Sequence, residues 1–277
     1  EGAAGGAGAA VPAVALHAAG GLIPTSWGRA GSARARRARW VVYVAAGALA
    51  AATIGPWLVL VLAGCGLCES ALRARPGPSS NPNRHPAGLP LLVVPAVATG
   101  GLAAVAWVAL KVGALSYGGG FVIVPLMQHD AVNHYHWMTG NQFLNAVALG
   151  QVTPGPVVLT VAVVGYAAAG LRGGLLAALS AFTPSFVFVL LGARRFDQIR
   201  SNARIQGFLG GAGPAAIGAI AGSAIPLALA LTQSWQAAVL AAAAVWLLGF
   251  RRGVVSSLLG AGALGMVIVL AGAPIHR

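Results

Sequence analysis

Between Lys111 and Ser185 the chain twice sets helix-breaking residues inside apolar sequence, and there the backbone itself could do chemistry. The first break reads Ser116-Tyr117-Gly118-Gly119-Gly120-Phe121. Each glycine costs about 1 kcal/mol relative to alanine in a helix, so three in a row resist regular helix. A helix restarting at Phe121 would aim unpaired N–H groups and the positive end of its dipole back into the glycine turn, an arrangement that holds anions. An ordinary interhelical loop is the other reading. The second break is Gly150-Gln151-Val152-Thr153-Pro154-Gly155-Pro156. Its prolines remove two donors and forbid continuous helix. Backbone left free at membrane depth survives only when buried in protein or lining a cavity, and broken helices of this kind form ion and substrate sites in secondary transporters. Gln151 and Thr153 would add neutral hydrogen bonds. A simple proline kink is the rival. Thr183-Pro184-Ser185 is a third, weaker break, whose hydroxyls could serve only to satisfy the freed backbone.

Acidic residues are scarce: after Glu69 only Asp130 and Asp197 remain. Asp197 lies among arginines, where a surface salt bridge accounts for it. Asp130 lies close to the glycine break; an ionisable group near a membrane is a functional candidate, set against an interfacial carboxylate facing water. Lys111 is placed to attract an anion at a cytoplasmic mouth. His129, His134 and His136 crowd one segment with Tyr135 and Trp137, which reads either as a metal site or, preferred here, as an interfacial aromatic belt. Cys65 and Cys68 have no second pair or histidine pair at zinc spacing, so they read as small residues at a helix end. No nucleophile elbow, Walker loop or His-Glu-x-x-His motif occurs, and no paired carboxylates suit hydrolysis. No enzyme, cofactor or metal is expected.

These residues need elements to hold them, and composition says where those elements reside. Hydrophobic residues make up 58% of the 277 positions and charged residues 8%, against roughly 25% charged in water-soluble domains. Lipid must therefore be the solvent for much of the surface. The expected fold is all-α, a polytopic transmembrane bundle with broken helices. A crossing helix needs about 20 apolar residues, which gives spans near 9–24 (short and weak), 40–67, 89–111, 142–170, 171–191, 208–232, 235–250 and 253–273. Gly207-x-x-x-Gly211 and Gly218-x-x-x-Gly222 offer flat strips to neighbouring helices. The net charge of +13 comes from arginines clustered between spans, as membrane topology signals are, which argues against nucleic acid. An alternating path puts 25–39, 112–140 with Lys111 before it, 192–207 and 251–252 in the cytoplasm and 69–88, the turn at Arg172 and 232–235 outside. It leaves 12 of the 17 basic residues inside. Re-entrant hairpins at the breaks would change that count. Residues 1–10 lack the basic start of a signal peptide, and the beginning reads as that of a fragment.

Several motifs in order resemble the chromate transporter family. They are Ser116-Tyr117-Gly118-Gly119-Gly120, Trp137-Met138-Thr139, Gln142-Phe143, Ala148 to Pro156, Gly165-Tyr166, Gly170 and Phe182-Thr183-Pro184-Ser185-Phe186, over roughly 105–275. Phe-Gly-Gly is the usual family form, so Tyr117 is a conservative departure. Long members hold two homologous halves in opposite orientation. The resemblance then implies 1–68 as the tail of a first repeat, 69–88 as a polar linker and 89–277 as the transporter-like membrane domain. No second glycine-and-proline cassette occurs upstream. The resemblance further implies efflux of chromate, with sulfate a similar oxyanion, across the plasma membrane and driven by an ion gradient. The residues would bind it at Ser116, Gly118, Gly119, Gly120, Gln151, Thr153, Pro154, Gly155 and Pro156, with Asp130 and Lys111 as coupling candidates. A homo-oligomer or a missing N-terminal repeat would be the protein partner. Rival readings are a carrier of another small anion, a truncated non-transporting subunit, and a metal-cation exporter using the histidines.

Overall fold

The computed structural model describes residues 2–53, 58–73, 101–115, 123–152, 159–192, 201–249 and 253–272. Those residues form an all-α bundle with no strand among them. Its helices are α1 (Gly2–Ala30), α2 (Arg34–Thr53), α3 (Leu58–Arg73), α4 (Gly101–Leu115), α5 (Val124–Gln128), α6 (Gly140–Val152), α7 (Leu159–Gly192), α8 (Ala203–Leu229), α9 (Ser234–Ala244) and α10 (Val254–Leu270). Wider π-helical turns extend α5 over His129–His134 and α9 over Val245–Gly249.

Small residues decide the packing. A Cβ on Gly218 would run into the Val44 carbonyl oxygen, one on Gly222 into that of Ala48, and one on Gly47 into that of Ala215. The Gly218/Gly222 strip therefore seats α2, running parallel to α8. The Gly207/Gly211 strip seats α3 in the opposite direction, with Gly207 against Ser70 and Gly211 against Cys65. Both motifs do the packing expected of small residues four apart. On its other side α8 meets α1, whose residues Ala9 to Ala15 are all buried. The weak span at 9–24 is in fact a long helix at the centre of the bundle. Its Gly and Ala residues read as weakly apolar, yet they let α10 approach until Gly6 abuts Ala261 and Gly265.

The long run α7 is a hairpin. Gly170 takes φ +62, a conformation that glycine adopts without penalty. Beyond it the chain doubles back, so that a Cβ on Gly165 would come within 2.5 Å of the Gly173 carbonyl oxygen. The turn falls where the sequence divides 142–170 from 171–191. Three helices, Gly2–Ala30, Leu159–Leu190 and Ala203–Leu229, are long and apolar enough to cross a membrane, the second being this bent one. Its returning arm exposes Leu171, Leu175, Leu179, Phe186, Phe188 and Leu190. Such a surface requires hydrocarbon around it.

Three contacts overturn the alternating path. Arg39 Nε bonds Glu69 Oε2 at 2.9 Å, and Ser70 bonds the Arg204 carbonyl at 3.3 Å. The start of α2, the end of α3 and the start of α8 therefore share one end of the bundle. Residues 40–67 are not a single span: α2 ends at Thr53 and α3 begins at Leu58, running back. Residues 69–73, expected in the linker, are the last turn of α3. At the far end Asn141 Nδ2 bonds Thr232 Oγ1 at 2.7 Å. The beginning of α6 and the end of α8 thus lie on the same side, where the alternating path separated them.

Candidate functional site

At the arginine end, Glu69 is buried and accepts from Arg39 Nε and Arg73 Nε, each at 2.9 Å, and from the Tyr43 hydroxyl at 3.2 Å. Burial would raise its carboxyl, but the hydrogen bonds and charges of Arg73 and Arg39 outweigh that and hold it below the usual carboxylate range. The network closes the α2–α3 hairpin over Gly210 and Gly211. Asp197 and its neighbouring arginines lie outside the described residues.

The second ionic group is formed by the two coupling candidates. Lys111, near the end of α4, makes an ion pair through Nζ with Asp130 Oδ2. Asp130 is 5% exposed, so the reading of a carboxylate facing water fails: the π-turn carries it inward against α4. No further hydrogen-bond donor reaches Oδ2 among the described residues. His129 Nδ1 stands 3.9 Å from Oδ1. The sequence placed Lys111 on the arginine side. Its partner instead belongs to the turn that delivers Tyr135, Trp137 and α6 to the opposite end, through Tyr135 N–H to the Asp130 carbonyl at 2.9 Å and Trp137 N–H to that of Ala131 at 2.8 Å.

At that end Tyr135 stacks on Trp137 with ring centres 4.7 Å apart, and His134 meets Tyr135 edge-on at 4.4 Å. Burial, then the Asp130 charge, push the Tyr135 phenol above its ordinary value. Among the described residues no three of His, Cys, Asp and Glu gather closely enough to hold a metal. Thr139 and Gln142 form a reciprocal cap on α6: Thr139 N–H donates to Gln142 Oε1 at 2.9 Å and Gln142 N–H to Thr139 Oγ1 at 3.3 Å. Their spacing carries the capping-box signal, which explains that stretch of the motif structurally. Thr183 Oγ1 likewise donates to the Leu179 carbonyl at 2.8 Å, the local satisfaction weighed for the third break.

Of the expected binding residues, Ser116, Gly118, Gly119, Gly120, Thr153, Pro154, Gly155 and Pro156 lie outside the described residues; Gln151 lies within them. Flanking geometry still decides one question. A Cβ on Gly150 would run into Thr160 Oγ1. In one straight helix those residues would stand about 15 Å apart. The end of α6 and the start of α7 therefore lie side by side, which a single helix merely kinked between them would not allow. Gln151 Nε2 and Thr160 Oγ1 are buried there without a hydrogen-bond partner among the described residues. Thr160 was missed from sequence, because a lone threonine in an apolar run carries no signal. An apolar groove of about 190 Å³ between α9 and α10, lined by Val239, Trp246, Ser257 and Leu264, contains none of these groups.

The profile of one family, described as chromate transporter, matches residues 103–266, a stretch holding both breaks, Lys111 and Asp130. The chain belongs to the chromate transporter family. It is 44% identical over 118 residues to the chromate transport protein of Cupriavidus metallidurans, covering 43% of this chain and 29% of that protein. It is 37% identical over 144 residues to a probable chromate transport protein of Synechococcus elongatus, covering 50% and 37%. An uncharacterized transporter of Methanocaldococcus jannaschii is 35% identical over 131 residues, covering 47% and 33%. The chain thus spans about a third of the length of these curated relatives. No solved structure matches it. Membership and the lipid-requiring surface together make this a membrane-embedded member of a transporter family.

Proposed function

We propose that the chain is the membrane domain, or part of it, of a secondary transporter that exports chromate across the plasma membrane, with sulfate-like dianions as structural competitors. In this reading residues 89–277 are the transporting repeat, 69–88 a linker and 1–68 the remainder of a preceding repeat, and the assembly is completed by a second copy or another repeat. The observation that carries it is the family match across 103–266, which encloses both helix breaks. The anion is held by backbone amides at Gly118–Gly120 and Gly155, with Ser116, Gln151 and Thr153 adding neutral donors and Pro154 and Pro156 keeping the backbone open. Lys111 supplies positive charge and Asp130 the coupling group. Support for the second break comes from the fold-back of Gly150 on Thr160 and from the unpartnered Gln151 Nε2; buried polar groups in native proteins are seldom left so.

Chromate flux into inverted membrane vesicles, measured for the wild type and Gly119→Leu, tests this. Wild-type flux, competed by sulfate and molybdate, is expected to fall at least tenfold in the variant. Equal flux in both would remove the glycine turn from the mechanism. Absence of flux in the wild type would instead favour a non-transporting subunit.

A further inference from the structure

Lys111 is the one lysine in a chain whose other basic residues are arginines, and its ammonium has a buried carboxylate on it. The groups facing Asp130 are few. Among the described residues α4 brings Lys111 and the π-turn brings His129, Tyr135 just beyond that turn feels the Asp130 charge, and α5 and α6 carry no ionisable side chain. The pair is buried unevenly, with 23% of the Lys111 side chain exposed against 8% of that of Asp130, and the buried carboxylate recovers its lost hydration only through good geometry and further hydrogen bonds. Here Asp130 Oδ2 gains no donor beyond Lys111 among the described residues, and Lys111 Nζ, with three protons to give, makes no second ion pair among them. Such a pair is poorly satisfied as a strut and well suited to exchange.

Resting on the proposed anion transport, we infer that Asp130 is an internal stand-in for the transported anion: oxyanion and carboxylate compete for the Lys111 ammonium, so the anion binds only as Asp130 takes up a proton. In the empty state the pair is neutral. A dianion reaching Nζ would leave the Asp130 carboxylate beside two negative charges in a site of low dielectric, where repulsion between like charges favours the neutral acid. Asp130 then accepts one proton from water. Its carboxyl O–H becomes a donor, able to turn towards the anion it has made way for. One proton and one dianion enter together, and the loaded site has gained one net negative charge. Proton and anion then move in the same direction, and outward movement of the loaded carrier is favoured by an inside-negative potential despite the proton it carries.

Calorimetric titration of the purified full chain with chromate, and separately with sulfate, in two buffers of different ionisation heat counts the protons taken up. The wild type is expected to take up one proton per anion, with Kd rising about tenfold per pH unit between roughly pH 7 and pH 9. Asp130→Asn is expected to bind either anion with no proton uptake and a Kd that changes less than about twofold over that range. Lys111→Ala should weaken binding at least tenfold, and Lys111→Arg should restore most of it. Anion binding by the wild type with no proton uptake and a flat Kd overturns the competition while leaving the transport reading intact. No binding of either anion by any form sinks both. If Asp130→Asn fails to fold, the wild-type proton count and pH slope decide alone.

Discussion

Glu69 is the buried carboxylate whose removal has the most calculable effect. In Glu69→Gln the volume is kept and the charge lost. The carboxylate accepts from Arg39 Nε and Nη2, Arg73 Nε and Tyr43, and a hydrogen bond to a charged group contributes about 1.5–3 kcal/mol. Stranding the partner of a buried pair costs about 3–5 kcal/mol, but Arg39 and Arg73 keep 32% and 42% of their side chains exposed. Water can therefore solvate them once the carboxylate is gone, and the lower part of the range applies. The expected loss is about 2 kcal/mol, or roughly 4–8 °C in Tm for a chain of this size. Thermal unfolding in detergent can be followed by tryptophan fluorescence, because Trp27 and Trp40 pack edge-on at 4.9 Å beside this end. The pH dependence has a definite sign. The folded-state carboxyl is held down by its arginines, so its contribution is complete above the unfolded value of about 4.3 and is lost as pH falls through the depressed folded value. Wild type and variant should differ by a constant Tm between about pH 6 and pH 8 and draw together as pH falls below about 4.3 and through the depressed folded value. A variant that unfolds within about 1 °C of the wild type at neutral pH would refute the reasoning, for the hairpin would then be held by glycine packing alone.

Gly218→Val tests that packing directly. Its side chain would meet the Val44 carbonyl, and overpacking of this kind costs about 1–3 kcal/mol. Gly213→Ala, which meets nothing within 4 Å, should be neutral or stabilising by up to about 1 kcal/mol; equal Tm losses in both would show that α2 is not seated on this strip. The sidedness of the bundle can be read by thiol labelling. With the arginine end cytoplasmic under the positive-inside rule, exposed Cys68 should react with a membrane-impermeant maleimide in inverted vesicles and not in intact cells. Asn141→Cys, placed in a background without the native cysteines, should do the reverse, and labelling of both from one side would contradict the two-ended arrangement.

Much of the bundle is legible in residue type because lipid solvent leaves so few ways to pack. The glycine strips on α8 announced two helix contacts, and each holds one. What misled was continuity of hydropathy. Residues 40–67 average as one span, although Gly55-Pro56 in its middle is a turn signal, and missing it reversed the side assigned to Glu69 and Arg73. The opposite error occurred at 9–24, where glycine and alanine look too weakly apolar to anchor anything. In a helix bundle small side chains are what permit close approach, so the weakest span became one of the central helices. At the site, the prolines at 154 and 156 foreshadowed that α6 does not run straight on into α7. The Lys111–Asp130 pair was not, because no periodicity links two residues on different elements.

That pair also changes what the arginines mean. Arg39, Arg73 and Arg204 gather with Glu69 or its neighbours at one end of the bundle, where cations fix orientation and brace the hairpin. Lys111 lies on the other side of the fold, joined to the turn that leads to Tyr135, Trp137 and Asn141. In the proposed reading, positive charge then serves two ends by different chemistry. Guanidinium groups stay charged at any physiological pH, as anchors must, whereas an ammonium on a flexible stem can be released by one carboxylate and taken by another anion. If transport uses a charge inside this chain, Lys111 meets that requirement, and a Lys111→Arg variant separates the two roles: orientation should be unaffected, while anion binding should keep most of its strength and its pH dependence, because the anion and Asp130 still compete for one cation.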